Sequence, residues 1–327
     1  MKKVLPVHEP LIKSFPWDAH LLSIIGNCEE EYNWIMHNYI DFFAINTQNG
    51  IYLNFCKKSY WNSCPFLVQD SVNRKIIESC NINIIEFIEK CIREDFYLSF
   101  FVSQASIPLY IAAGVHEPLI YGFDNTKKNI YIADFFDGHY TFGLCTYEQL
   151  TDGYQKLRDE NNVWKSTIQL MNKNQGRQDR YKPLSTMSSP TRNTLCRSLN
   201  NYLYSKSLFY EDYADEYMDY EELSFGIDSL AALKKYLLKN PELDIRPFHA
   251  IVEHSYMMLK RSIYFNGNLF KDEFEKIYTK CKTLEMMIIK SHAIGKIETQ
   301  KYTQQLDEIM NLQKDTIADW LKIIEGR

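Results

Sequence analysis

His116-Glu-Pro-Leu-Ile-Tyr-Gly-Phe-Asp124, Asn129-Ile-Tyr-Ile-Ala-Asp134 and Tyr140-Thr-Phe-Gly-Leu144 are three β-rich runs. Asp124-Asn-Thr-Lys-Lys128 separates the first two, and Phe136-Asp-Gly-His139 separates the last two. The first separator is a polar hairpin loop and the second carries an Asp-Gly turn pair, so residues 116–144 read as a three-stranded meander. In an antiparallel pair the start of one strand lies beside the end of the next, which puts His116 and Asp134 within hydrogen-bonding reach. Alternation places Ile130 and Ile132 on one face with Asp134. An Asp so placed can fix the tautomer of a His and stabilise its imidazolium. The alternative is a strand-end His and a turn Asp in unrelated roles.

Working outward, residues 51–56 and 97–102 are further strand patterns, and residues 164–170 are expected to be the strand that closes the sheet. Helical segments interleave with them, so the front of the chain reads as α+β. From Asn172 to Asn193 polar residues dominate, with Pro183 and Pro190, which is linker composition. Beyond it, residues 227–238, 248–264, 271–289 and 296–323 space apolar residues three and four apart, the pattern of a helical bundle. The expected domains are therefore 1–185, catalytic, and 186–327, helical and shaping the substrate site. The closing Ile324-Glu-Gly-Arg327 matches a protease-recognition tag and is set aside from the fold reading.

Composition narrows the function classes. A chain of 327 residues with 45% hydrophobic and 14% aromatic content can bury a substantial core. No stretch approaches the roughly 18 apolar residues that cross a bilayer, and MKKVLPVHEP turns to Pro and charge before a signal-peptide core can form. The expectation is a cytoplasmic protein with no membrane partner. A net charge of -5 gives no reason to expect nucleic acid. The cysteines show no CxxC pair and no regular framework, which argues against zinc clusters and disulfide scaffolds and for reduced thiols. No metal or organic cofactor is expected. His249 and His254 are five apart, off the helical zinc spacing of four, and read as structural.

Cys28 is the expected nucleophile. It stands at the head of a helical pattern, Glu29-Glu-Glu-Tyr-Asn-Trp-Ile-Met-His-Asn-Tyr-Ile-Asp-Phe-Phe43, whose Trp34, Ile35, Tyr39 and Phe42 mark one apolar face, and there unpaired backbone N–H groups and the helix dipole favour a thiolate. Its own amide can face an oxyanion, and the neighbouring Asn27 is the side-chain candidate for that role. The three glutamates are expected to face solvent as first-turn acids. The competing reading of Cys28 is a buried small hydrophobe. Cys56 and Cys64 lie at a strand end and in a turn, poorer placements for a nucleophile.

His116, Tyr-Gly-Phe-Asp124 and Ala-Asp134 resemble the His/Asp half of papain-like enzymes in the group of double-glycine leader peptidases. They are more similar still to acyltransferases of the butirosin-biosynthesis type and to amide-forming enzymes of closthioamide-type thiotemplated assembly. The resemblance is best over residues 110–145, fair over 15–45 and general beyond. It implies a papain-like cysteine-protease fold with an antiparallel sheet, followed by a helical C-terminal domain. It also implies a Cys28, His116 and Asp134 triad that takes an acyl group from a carrier-protein thioester and delivers it to a small amine. In the leader peptidases a Gln lies six residues before the nucleophile, whereas this chain has Leu22 there.

Two further features bear on partners. Phe225-Gly-Ile-Asp-Ser-Leu230 matches the Gly-x-Asp-Ser-Leu pattern at which carrier proteins receive phosphopantetheine on Ser, here Ser229; the competing reading is that Asp228 or Ser229 caps a helix. Arg177, Arg180, Lys182 and Arg192, with only Asp179 among them, form a basic strip suited to an acidic carrier protein, or a solvated linker. Alternatives to acyl transfer are a cysteine peptidase or thioesterase using the same residues on water, and a non-catalytic carrier-binding module.

Overall fold

Pro118 interrupts the first run of the meander, because it has no N–H to give to a ladder. The computed structural model, which describes all residues except 48–49, 56–63, 158–164, 174–190, 207–221, 240–243 and 327, accordingly splits that run in two. In chain order the elements are β1 (Lys2–Val4), α1 (Pro16–Ile24), α2 (Glu29–His37), β2 (Phe42–Thr47), β3 (Gly50–Phe55), β4 (Leu67–Asn73), α3 (Arg74–Ser79) and α4 (Ile84–Arg93). Then follow β5 (Phe96–Ser99), β6 (Val102–Ser103), a 3-10 turn (Gln104–Ser106), β7 (Val115–His116), β8 (Leu119–Asp124), β9 (Asn129–Phe136), β10 (His139–Thr146), α5 (Tyr147–Lys156) and β11 (Thr167–Lys173). The rest holds α6 (Arg192–Leu203), β12 (Glu222–Phe225), α7 (Asp228–Lys239), α8 (Arg246–Asn266), α9 (Lys271–Ile294) and α10 (Thr299–Glu325). The fold is α+β with antiparallel sheets.

The chain forms two compact units. One comprises Met1–Gly26 and Tyr60–Thr186, the other Asn27–Ser59 and Met187–Arg327. Residues 27–59, which sequence order puts in the front half, thus pack with the rear segment.

The first unit is built on a sheet of order β10-β9-β8-β5-β11-β4, with β1 added to β8. The meander forms as its turns dictate, Asp124 opposite Asn129 and Phe136 opposite His139. Strand β11 does not close the sheet; it lies between β5 and β4. The outer strand β4, Leu-Val-Gln-Asp-Ser-Val-Asn, alternates too weakly to be read as a strand from sequence, and pairing with β11 is what holds it extended. Gly122 admits β1, since a Cβ there would lie 2.9 Å from the Lys3 carbonyl oxygen and from Cα of Val4. Helix α1 starts on Pro16 and buries residues from Asp18 through Ile24, so it is a core helix rather than a surface one.

In the second unit β12, β2 and β3 make a small antiparallel sheet, so the rear segment is not wholly helical, and the helix expected over 29–43 ends at His37, because Tyr39 turns the chain with φ +56 and Phe42 and Phe43 enter β2. Helix α8 is buried along most of its length, including Phe248, Ile251, Met257 and Arg261. The Arg261 guanidinium is fully buried and donates to the carbonyls of Met36 (2.7 Å), Asn38 (2.6 Å) and Tyr39 (3.1 Å). That satisfies orphan carbonyls at the end of α2 with a cation placed at the negative end of the helix dipole. Helix α10 continues through Glu325 with Ile324 buried, so Ile324 and Glu325 of the tag-like ending extend a packed helix. Among the described residues no helix is long and apolar enough to cross a membrane.

Candidate functional site

The site grows from Asp134 on β9, whose carboxylate is completely buried. Its Oδ1 accepts from the backbone N–H of Phe135 at 2.8 Å. Its Oδ2 accepts twice, from the Tyr110 hydroxyl at 2.5 Å and from Nδ1 of His116 at 2.6 Å. Three donors replace the water that burial removed. An ionised carboxylate can only accept, so Nδ1 of His116 carries the proton and Nε2 carries the lone pair. Among the described residues Nε2 has no hydrogen-bond partner, and the side chain is 26% exposed.

His116 reaches Asp134 by a route other than a simple hairpin. It lies on β7, which pairs with β6 so that His116 faces Val102. Glu117 and Pro118 then step across to β8, and a bulge between Ile120 and Gly122 shifts the β8–β9 register. A clamp holds this step in place. His20 of α1, fully buried, donates from Nε2 to the Glu117 carbonyl at 2.7 Å and accepts at Nδ1 from the Tyr140 hydroxyl at 2.9 Å. Ser99 donates to the same carbonyl at 3.1 Å.

The environment separates these groups by charge state. Burial pulls His20 down to about 4, so it is neutral near pH 7. Burial also pulls on His116, but the Asp134 hydrogen bond and charge, with help from Glu117, raise it above the ordinary histidine value. Burial pushes Glu117 up to about 7, against the pull of His116. Tyr110 is driven upward by burial and then by the Asp134 charge, so its hydroxyl keeps its proton. A histidine with a fixed tautomer and an open, basic Nε2 can remove a proton from a nucleophile.

No family model and no curated protein matches this chain.

Cys28 belongs to the other unit. It is the N-cap residue of α2, as the sequence implied, and its side chain is exposed. The expected lowering of its pKa does not occur. Desolvation raises the thiol pKa first, and the Glu30 and Glu31 carboxylates add to it, outweighing a favourable contact with the Glu31 backbone N–H. Glu31 is also not the solvated first-turn acid expected, being only 2% exposed. Its Oε2 accepts from the backbone N–H of Asn27 at 3.0 Å, so that amide is already committed, while the Asn27 side chain is exposed.

Among the described residues the other cysteines are free thiols, with Cys64, Cys145 and Cys281 buried; Cys56 lies outside those residues. Arg177, Arg180 and Lys182 of the basic strip also lie outside them. Arg192 is exposed and donates to the Ile323 carbonyl at 3.3 Å, tying the start of α6 to the end of α10. The carrier-like Ser229 is fully buried and donates to the Ser224 carbonyl at 3.3 Å, a placement closed to a modifying enzyme and not that of a helix cap. His249 bonds Glu285 across α8 and α9, and His254 bonds the Ile40 carbonyl; no metal-holding group of His, Cys, Asp or Glu occurs among the described residues. An open groove of about 960 Å³ in the first unit, lined by Glu86, Ser106, Lys128 and Tyr147 among others, includes neither His116 nor Asp134.

Tyr110, Glu117 and the His20–Tyr140 clamp were missed by sequence reasoning. Tyr110 lies in a loop 24 residues from its partner, with no periodicity around it. His20 offered a better clue, since an imidazole amid the apolar residues of α1 needs buried partners for both ring nitrogens.

Proposed function

We propose that this protein is an acyltransferase of papain-like type, acting in the cytoplasm, that moves an acyl group from a carrier-protein thioester to an amine. The observation that carries the reading is the His116–Asp134 pair, with Nδ1 held on a buried carboxylate and Nε2 open. In the reaction Nε2 takes a proton from the nucleophile as the new bond to the acyl carbon forms, and returns it to the departing thiolate. Asp134 stabilises the imidazolium between those two events. The sequence assigns Cys28 as the first nucleophile, giving a thioester acyl-enzyme that the amine then resolves. The amine loses its proton to His116 in that second step. Arg192, with Arg177, Arg180 and Lys182, is the proposed contact for an acidic carrier.

A second reading draws on the environment of Cys28, whose exposed thiol is made less acidic by partial desolvation and by Glu31 and Glu30. In it the amine, or water, attacks the donor thioester directly and His116 serves as the only base.

One experiment separates these readings. The protein is incubated with acyl-carrier thioesters, with and without amines, and both products and intact protein are weighed by mass spectrometry. Amide that depends on His116, with an acyl adduct lost in Cys28→Ala but kept in Cys64→Ala, supports the acyl-enzyme route. Amide without an adduct, persisting in Cys28→Ala, supports direct attack. Free acid alone makes the protein a hydrolase. Full activity in His116→Gln would overturn the proposal, and a pathway indifferent to both variants would make the chain a binding module.

A further inference from the structure

We propose that Tyr110 is a positioning residue of the His116–Asp134 pair, its hydroxyl holding the carboxylate in the orientation at which Oδ2 receives the Nδ1 proton of His116. The inference rests on the reading of His116 as the base, and its test is independent of turnover. Asp134 is wholly buried and has three donors, the Phe135 amide on Oδ1 and the Tyr110 hydroxyl and His116 imidazole together on Oδ2. Without Tyr110, Oδ2 would be held only by His116, the group that the carboxylate itself has to orient. A second anchor on the oxygen that faces the imidazole fixes that orientation, which matters because misplacing a reacting group by about 1 Å can cost about a hundredfold in rate.

Tyr110 is itself well held. Successive turns bond Ile107 N–H to the Gln104 carbonyl and Tyr110 N–H to the Ile107 carbonyl, so the loop leaves the 3-10 turn in a fixed direction. The ring packs against Phe136 at 5.0 Å between centroids and against His116 at 5.9 Å. A phenylalanine would keep those contacts and lose only the hydroxyl.

The hydroxyl also shares the electron density of Oδ2 with the imidazole. With it gone, the carboxylate concentrates on His116 and holds the imidazolium more strongly; with a better donor in its place, the hold weakens. The other titratable groups facing the pair and Tyr110 are Glu117, His20, Tyr140 and Cys145, and Tyr140 keeps its proton because burial drives its pKa far upward. His20 stays neutral, lowered to about 4 by burial, and Cys145 stays neutral, pushed up to about 12 by burial. Glu117 alone titrates near neutrality, so the measurement is made in a Glu117→Gln background.

The test is an NMR titration of the His116 ring in isotopically labelled full-length protein. Tyr110→Phe is expected to raise the His116 pKa by about half a unit or more, and site-specific 3-fluorotyrosine at position 110, a stronger donor, is expected to lower it. The acid limb of kcat/KM moves in the same direction in each case, and in Tyr110→Phe kcat falls while KM holds. The fluorinated side chain keeps the shape of the native one, so it tests the idea should Tyr110→Phe fold poorly. An unchanged titration in both, or shifts of the same sign, would overturn the positioning role and leave the function of His116 standing. Full turnover in His116→Gln would instead overturn the function and leave the titration result intact.

Discussion

At the scale of single residues the chemistry depends on how Asp134 divides its acceptors. Two donors meet on Oδ2 and one on Oδ1, and none of the three can be reversed while the carboxylate is ionised. Asp134→Asn breaks that pattern whichever way the amide turns. With its oxygen toward His116, its NH2 faces the Phe135 N–H; turned about, its NH2 faces Tyr110 and His116 and forces the proton onto Nε2. Either arrangement removes the open lone pair or the partner that holds it. The expected result is a fall in kcat/KM on the order of 100- to 10,000-fold with the fold retained by circular dichroism. Near-normal turnover would show that the pair is structural. Strand alternation and turn chemistry, which are local, pointed to this pair, although His116 reaches Asp134 from β7 and not from the meander strand itself. The sequence could not expose Tyr110, because a loop residue is brought to Asp134 only by the path of the chain between β6 and β7.

At the scale of elements the informative case is Phe225-Gly-Ile-Asp-Ser-Leu230, whose resemblance to a carrier motif has a structural cause. Gly226 has φ +55 and lies so near the chain that a Cβ would stand 2.3 Å from the Tyr202 carbonyl oxygen. The same carbonyl accepts from Ile227 N–H at 2.9 Å, and Gly226 N–H donates to the Phe42 carbonyl at 2.7 Å. The turn between β12 and α7 therefore needs glycine for both backbone shape and space. Gly226→Ala is expected to cost about 2–4 kcal/mol, from backbone strain plus overpacking, read as a lower urea midpoint. Ser229→Ala, which loses one long hydrogen bond, is expected to cost about 1 kcal/mol or less. Equal stability of the two variants would refute the close-approach account. Strand β4 makes the complementary point, since its polar sequence is extended because β11 pairs with it.

At the scale of the whole molecule each unit buries a neutral histidine, His20 in one and His254 in the other, lowered by burial to about 4 and about 3 from an ordinary 6.5. Between those values and 6.5 the unfolded chain binds protons that the folded one refuses. The stability each provides is complete above pH 6.5 and is lost as pH falls toward the folded value. For His20 the loss by pH 4 is roughly 3 kcal/mol. Glu117 and Asp41, both pushed up to about 7 by burial, act in the opposite sense; their contribution is complete below 4.5 for Glu117 and below 3.8 for Asp41, and is lost as pH rises through 7. A variant isolates one share of the sum. His20→Gln can keep a donor and an acceptor, and is expected to shrink the drop in urea midpoint between pH 7 and pH 5; an unchanged drop would mean that His20 does not titrate on unfolding. By itself the sequence determined the turns and strands of the meander and the rear helices, because alternation, turn residues and helical periodicity act over a few residues; it named His116 and Asp134 without the route that joins them. Only the tertiary structure decided that residues 27–59 pack with the rear segment, that β11 is internal, that His116 comes to Asp134 from β7 and that Glu31 is buried rather than solvated. Those outcomes depend on which distant surfaces bury each other, and no local pattern records that choice.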